Sequence, residues 1–509
     1  MAAFMSISFP TIVILTITVF LVYLLYRNRR GSQQAPANMP PGPSGWPYFG
    51  SLPTFINKMV FQGKPMEVVF DELAKQYGPV YYMNVFGIRL VVANTAETIK
   101  EILHHPDMNN RPAPGPKKSA AALKMYAGAT GVLYSSGDAW RDQRRFSLSV
   151  LRGFGVGKKS FESHIATEAD YLIEEIHSFK ETPFDPSSII PGAVSNVINT
   201  LTFGRRFEYS DLELKKLIDL INQRMENSGK EFLVLSAPFL LQLPFGPGHA
   251  VKTTIAEIRQ RIGDIVEEHK STYDPENHRD FIDAYLGEVY KDDDDETKSI
   301  HFTNKNLVQM VEDLFVGGTQ TTTTTLSWAL LYLVAFPSIQ EKIQQEIDDT
   351  CGRNRFPTMS DKRQLPYLLA TIHELQRHTC ILYILGVRMT YEVETTIGGY
   401  AIPSRTVLLQ NIWSVSKDPS VWGEDVLEFK PERFLDEDNH VIKRDEHLIF
   451  GAGRRSCMGE NIAKMELFIF LSHILHRYTL LKGDEEINLK PKAGGVLKPH
   501  PYKIRAIER

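Results

Sequence analysis

Of the three cysteines in this 509-residue chain, Cys351, Cys380 and Cys457, only the last stands where its sulfur could do chemistry. It ends the run Phe450-Gly451-Ala452-Gly453-Arg454-Arg455-Ser456-Cys457, followed by Met458 and Gly459, and the amphipathic stretch over residues 461–476 predicts a long helix directly after it. A cysteine just before a helix start meets free backbone N–H groups and the positive end of the helix dipole, which favour the thiolate. Arg454 and Arg455 add positive charge. Such a thiolate serves as a nucleophile or as a metal ligand, while a lone cysteine of no special role packs as a small hydrophobe. A phosphate cradle fits poorly: the third glycine of the dinucleotide fingerprint is missing and no convincing strand precedes the loop. A phosphatase-type loop would carry its arginine after the cysteine.

Three further groups carry polar chemistry. Residues 304–336 read as one very long helix, apolar on most faces, interrupted by Gly317-Gly318-Thr319-Gln320-Thr321 and further threonines to Thr325. Each glycine costs such a helix about 1 kcal/mol relative to alanine, and threonine hydroxyls can bond back to the i−4 carbonyl and bend it. Close crossing by another helix would explain the glycines but not the hydroxyls. Glu374 and Arg377 share one helix face as an i,i+3 pair, by itself worth a few tenths of a kcal/mol at a surface. Trp140 and Arg144 lie one turn apart at the start of another helix, whose plain reading is an amphipathic surface helix carrying arginines.

A thiolate ligand to a haem iron accommodates every feature of the Cys457 loop: glycines let the chain pass close beneath a flat macrocycle, and neighbouring N–H groups tune the sulfur. The sequence here resembles the cytochrome P-450 haem-thiolate family, whose signature Phe-x-x-Gly-x-Arg-x-Cys-x-Gly is matched by Phe450, Gly453, Arg455, Cys457 and Gly459. The resemblance extends over essentially the whole chain. It implies the cytochrome P-450 fold, heme b (iron protoporphyrin IX) with Cys457 as axial ligand, and O2 as co-substrate. It further implies that Thr321 helps deliver protons on the distal side, next to Gln320 where the family usually has Asp or Glu. Trp140, Arg144, Arg388 and Arg455 match propionate contacts, and Glu374 and Arg377 join Arg433 of Pro431-Glu432-Arg433-Phe434 in an interior network. Arg145, Lys430 and Arg454 are candidates to face an acidic electron donor. The pocket segments implied are residues 111–129, 203–245 and 380–384, with Val316, Gly317, Val496 and Leu497, favouring an apolar ligand.

The implied reaction is insertion of one oxygen atom from O2 into an apolar small molecule, a fatty acid, steroid or xenobiotic. Electrons come from NADPH through NADPH-cytochrome P-450 reductase, with cytochrome b5 as a second donor, since the chain has no flavin or nicotinamide fingerprint. Short runs such as Phe203-Gly204-Arg205-Arg206-Phe207 resemble the animal microsomal branch. The rival readings are a haem-thiolate isomerase or dehydratase acting on peroxides, which the missing acid at Gln320 makes less remote, and a haem-binding membrane protein without turnover.

The elements around these residues follow from composition. With 43% hydrophobic and 23% charged residues the chain can bury a large core, and its net charge of −4 gives no reason to expect nucleic acid. An odd cysteine count without CxxC spacing argues against a disulfide framework or a structural zinc site and fits a reducing compartment. From residue 9 to 26, 14 of 18 residues are apolar, a helix rising about 27 Å, with Arg27, Arg29 and Arg30 immediately after. Residues 1–30 are therefore expected to form an uncleaved single-pass anchor, its arginines holding the catalytic part on the cytosolic side of the endoplasmic reticulum membrane. Five prolines between residues 31 and 48 predict a stiff, extended hinge, and residues 49–509 a single catalytic domain. The body is expected to be mainly α with a small β portion, with helices over 66–77, 164–179, 256–269 and 338–350 and strands over 80–84, 89–92 and 406–410. The acidic run over residues 292–296 reads as a solvated loop tip.

Overall fold

Phe86 and Gly87 both have positive φ, 51° and 83°, as a two-residue hairpin turn requires, and they join strand β1 (Val80–Val85) to β2 (Ile88–Ala93). The computed structural model describes residues 38–46, 49–112, 131–226, 243, 245–292, 295, 299–391, 394–492 and 494–509, with Thr18 and Phe20. The expected anchor, apart from Thr18 and Phe20, thus lies outside the described residues, as do residues 113–129 and 227–242 of the pocket segments 111–129 and 203–245 and part of the acidic run. Two units emerge, one of the described residues up to Met108 with Gly386–Asn411, the other of Asn109–Leu385 with Ile412–Arg509.

In the first unit, helix α1 (Met66–Tyr77) and helix α2 (Ala96–His104) accompany a four-stranded sheet of order β1-β2-β6-β3, with β3 at Arg388–Met389 and β6 at Val407–Gln410. The β2–β6 pair is parallel and every residue of β6 is buried, as befits an inner strand. A separate hairpin joins β4 (Thr395–Ile397) to β5 (Tyr400–Ile402). The described part of the proline-rich hinge is not a free spacer. It docks on this unit: Tyr82 N–H donates to the Pro41 carbonyl at 2.7 Å, and Ala401 N–H donates to the Asn38 carbonyl at 2.8 Å. Its carbonyls supply acceptors that the sheet uses.

The second unit is mainly helical. It contains α3 (Gly137–Gly153), α4 (Lys159–Ser178), α5 (Ile190–Phe203), α6 (Leu212–Glu226), α7 (Pro247–Ser271), α8 (Phe281–Val289), α9 (Asn304–Ala335), α10 (Pro337–Cys351), α11 (Pro366–Thr379) and α12 (Glu460–Arg477). The antiparallel pair β7 (Tyr478–Lys482) and β8 (Ile504–Glu508) completes it. Helix α9, about 48 Å long at ~1.5 Å per residue, is buried along most of its length and is the axis on which α5, α11 and α12 pack.

Contrary to expectation, the Gly-Thr stretch does not interrupt α9. Thr321 and Thr325 donate their hydroxyls to the carbonyls of Gly317 and Thr321, at 2.8 and 2.9 Å, and the ladder continues past them. Gly318 answers to helix crossing, because a Cβ there would lie 2.5 Å from Ile198 Cδ1 on α5. Gly317 does not: a Cβ there would meet nothing within 4 Å, and the residue is exposed in the midst of a buried helix.

The expected helix over 66–77 coincides with α1, and the others named above fall within α4, α7 and α10 to within a residue at the ends or are extended by them. Strands β3, β4, β5, β7 and β8 went unforeseen. Among the described residues no single helix is long and apolar enough to cross a membrane; the bent pair α9 and α10 has the composition, but α9 buries its apolar faces in protein.

Gly42 tests the docking of the hinge. A Cβ at this position would lie 1.8 Å from the Tyr82 carbonyl oxygen, a backbone atom that cannot swing aside. Gly42→Ala is expected to destabilise by about 1–3 kcal/mol in denaturant unfolding and to expose residues 38–46 to proteolysis. Unchanged unfolding and cleavage would show that the segment is not held there.

Candidate active site

The loop before α12 is shaped by its glycines. Gly451 and Gly453 adopt φ of 68° and 69°, and Cys457 N–H closes the loop on the Phe450 carbonyl at 2.9 Å. A Cβ at Gly459 would lie 4.0 Å from Cys457 Sγ, so glycine keeps that approach to the sulfur uncrowded. Cys457 is exposed, yet desolvation by the surrounding protein is the largest influence on its thiol. Burial pushes the thiol up. The N–H groups of Gly459 and Glu460 and the Arg144 guanidinium pull it down, while the Glu460 carboxylate opposes them.

The helix terminus therefore does act on the sulfur, but does not by itself outweigh desolvation. The cation that acts on Cys457 is Arg144, which donates to the Ser456 carbonyl at 2.8 Å. Arg455 is engaged elsewhere: its Nε, Nη1 and Nη2 donate to the carbonyls of Asn109, Val132 and Ser135 at 2.9, 3.2 and 2.6 Å, and its guanidinium stands 4.0 Å from the Trp140 ring centroid. Trp140, on α3, is buried, and its indole N–H has no acceptor. Phe450 is half-buried beneath Lys464. Arg388 belongs to the first unit, buried on β3.

On α9, Thr321 and Gln320 point differently. Thr321 shares the open face with Gly317, four residues back, and is half-buried. Gln320 is buried, and its amide donates to Thr324 Oγ1 at 3.2 Å. Glu466 escaped the sequence reading. It lies on α12 within the apolar run Met465-Glu466-Leu467-Phe468, fully enclosed beside Thr322, and burial pushes its carboxyl up to about 8, so it holds a proton at neutral pH. A lone carboxyl on an apolar helix face was the available signal.

Glu374 and Arg377, on α11, are both completely buried. Arg377 Nε and Nη2 each donate to one Glu374 oxygen at 2.7 Å, Arg433 Nε adds a contact at 3.3 Å, and Lys430 N–H another at 3.0 Å. Arg377 Nη1 reaches the Ser416 carbonyl at 2.7 Å and Arg433 Nη1 the Asp425 carboxylate at 2.5 Å. The spacing that would be a minor pair at a surface is here an interior network, as anticipated.

Among the described residues one His/Asp cluster, His269, Asp280 and Asp283, is compact enough to hold a metal. Its groups are already committed: His269 Nε2 bonds Asp280 at 2.8 Å, Asp280 caps α8, and Arg279 takes Asp283. It is structural.

The residues fit a haem on three observations: an exposed thiol just before α12, a glycine at 317 that leaves open space on α9, which packs against α12, and a buried indole donor without an acceptor. These features and the helical architecture fit a haem protein with a cysteine at its site. The cytochrome P450 family model matches residues 40–506. Cytochrome P450 2J5 of Mus musculus is 35% identical over 509 residues, spanning 99% of this chain and 97% of its own. The corresponding figures for cytochrome P450 2J2 of Homo sapiens are 35%, 99% and 98%, and for cytochrome P450 2D6 of Homo sapiens 38%, 98% and 99%. The chain belongs to the cytochrome P450 family, whose members are monooxygenases that bind iron protoporphyrin IX, use O2, and act on small molecules with redox partners.

Removing one member of the Glu374 network leaves buried charge unpaired, at about 3–5 kcal/mol. Glu374→Ala and Arg377→Ala are each expected to be recovered with little or no haem, read as Soret absorbance per polypeptide. Full haem occupancy in either variant would show that the network does not support the site.

Proposed function

We propose that this chain inserts one oxygen atom from O2 into an apolar small molecule of fatty-acid, steroid or xenobiotic type. Electrons are taken from NADPH through NADPH-cytochrome P-450 reductase, with cytochrome b5 as an additional donor. The observation that carries the reading is Cys457 in its loop: an exposed thiol with flanking glycines, two backbone N–H groups directed at the sulfur, and the nearby charge of Arg144, which bonds the Ser456 carbonyl. The haem, when bound, would supply the O2 activation, with its iron held by the Cys457 sulfur.

The chain's own residues divide the remaining work. Cys457 would hold the iron. Trp140 offers its unused indole N–H to a propionate, and Arg144 and Arg455, with Arg388 by the motif correspondence, supply positive charge for those carboxylates. Thr321 presents Oγ1 on the open face of α9, where it holds a proton to be passed inward, its own hydroxyl resting on the Gly317 carbonyl until then. Gln320 is a weaker partner than a carboxylic acid, since an amide orders water by donating and accepting but does not titrate. Residues 1–30 anchor the protein in the endoplasmic reticulum membrane, the catalytic part facing the cytosol.

Reconstitution with the reductase and NADPH, screening fatty acids, steroids and drug-like molecules for spin-state shift and product, tests this reading. NADPH-dependent product is expected; rearrangement of organic peroxides without reductase would identify an isomerase or dehydratase instead, and spectra insensitive to every compound a non-catalytic haem protein. In the same assay Gln320→Glu is expected to yield more product per NADPH and less peroxide than the parent. Equal or poorer coupling would remove Gln320 from the proton path.

A further inference from the structure

Helix α9 carries two adjacent buried carboxylates that face different neighbours. Glu312, fully buried, receives Arg224 Nη1 from α6 and, at 2.8 Å, Arg259 Nε from α7. Asp313 receives the backbone N–H groups of Val132 and Leu133 at 2.8 and 2.9 Å. The approach is close: Gly131 has φ of 71°, and a Cβ there would lie within van der Waals overlap of the Asp313 carboxylate. The two sites share one side chain. Gln309, one turn earlier on the same face, accepts from Arg259 Nη2 at 2.6 Å through Oε1 and donates from Nε2 to Asp313 at 2.9 Å.

The loop that Asp313 holds is the one that holds Arg455. Val132 and Ser135 supply two of the three carbonyls that bind its guanidinium, and Arg455 is two residues from Cys457. Hydrogen bonds thus run without a gap from α6 and α7 to the signature arginine. Glu312 and Asp313 are buried, so the bonds made to them are costly to leave unmade, while Arg259, which joins them through Gln309, is partly exposed. Burial pushes Asp313 up to about 6, while its bonds from Val132, Leu133 and Gln309 pull it down.

We propose that Gln309, Glu312 and Asp313 are positioning residues that couple the seating of α6 and α7 to the loop over residues 131–136 and, through it, to Arg455. Substrate is then felt at the haem grip through the helices that cover it. This step rests on the reading that residues 203–245 border the substrate pocket and that Arg455 serves the haem. The link itself is a set of hydrogen bonds and stands apart from that reading.

Hydrogen exchange on the haem-loaded full chain, resolved at the Val132 and Leu133 amides and over α6, tests the coupling. Glu312→Gln, which touches α6 and α7 but not the loop, is expected to speed exchange at Val132 and Leu133 on the order of tenfold, the scale of one lost hydrogen bond. Asp313→Asn, which touches the loop but not α6, is expected to speed exchange in α6, because coupling is reciprocal. In a Gln309→Leu background both remote effects are expected to vanish. Parent rates at Val132 and Leu133 in Glu312→Gln, or remote effects that survive Gln309→Leu, would overturn the proposal. If Glu312→Gln does not fold, Arg259→Met makes the same test from α7. A thiolate-type carbonyl spectrum in each variant tests the haem reading separately, so its failure is distinguishable from failure of the link.

Discussion

The structure around the thiol depends on a charge kept out of water. Glu374 has no exposure, and a bare carboxylate there would cost several kcal/mol in lost hydration. It is tolerated because four donors converge on its two oxygens, and because Arg377, Arg433 and Asp425 balance its charge to zero. Attraction in such a setting roughly offsets desolvation, so the network contributes geometry more than net stability. It fixes α11 against the segment around residues 425–434. Phe434 in turn packs its ring against His373 and His447 at centroid distances of 5.5 and 5.2 Å, and burial keeps both histidines neutral. His447 stands three residues before the loop of Phe450.

A second constraint is written along α9, where adjacent glycines have different work. Gly318 admits Ile198 of α5, and Gly317 leaves an opening that a side chain would fill. Only a helix held on all other sides tolerates such an opening. Of the hydroxyls that might have broken it, those of Thr321 and Thr325 bond carbonyls within the helix instead, and Thr321 stands on the open face.

Much of the site was legible because its signals are local. Five residues of the Cys457 loop and the three-residue step from Glu374 to Arg377 are short patterns whose chemistry is specific. What was not legible depends on distant chain. That Arg455 would bind carbonyls of residues 109, 132 and 135, leaving Arg144 as the cation at the sulfur, is decided by packing across more than 300 positions. Periodicity could not announce β3, two residues long, nor the docking of the hinge, which depends on Pro41 and Asn38 offering carbonyls to a sheet formed later in the chain. Residues 304–336 were read as broken because helix propensity was weighed without the burial that overrides it. Glu312 passed unnoticed since its arginines come from two other helices.

The central claim is that Cys457 binds haem iron as a thiolate. Its most direct test is the reduced carbonyl difference spectrum of the haem-loaded protein, compared with that of Cys457→His, where the ligand becomes a neutral imidazole. The parent is predicted to give the red-shifted Soret band of thiolate ligation and the variant to lose it while still binding haem. A parent spectrum of the imidazole type, or a thiolate band that persists without Cys457, would contradict the account.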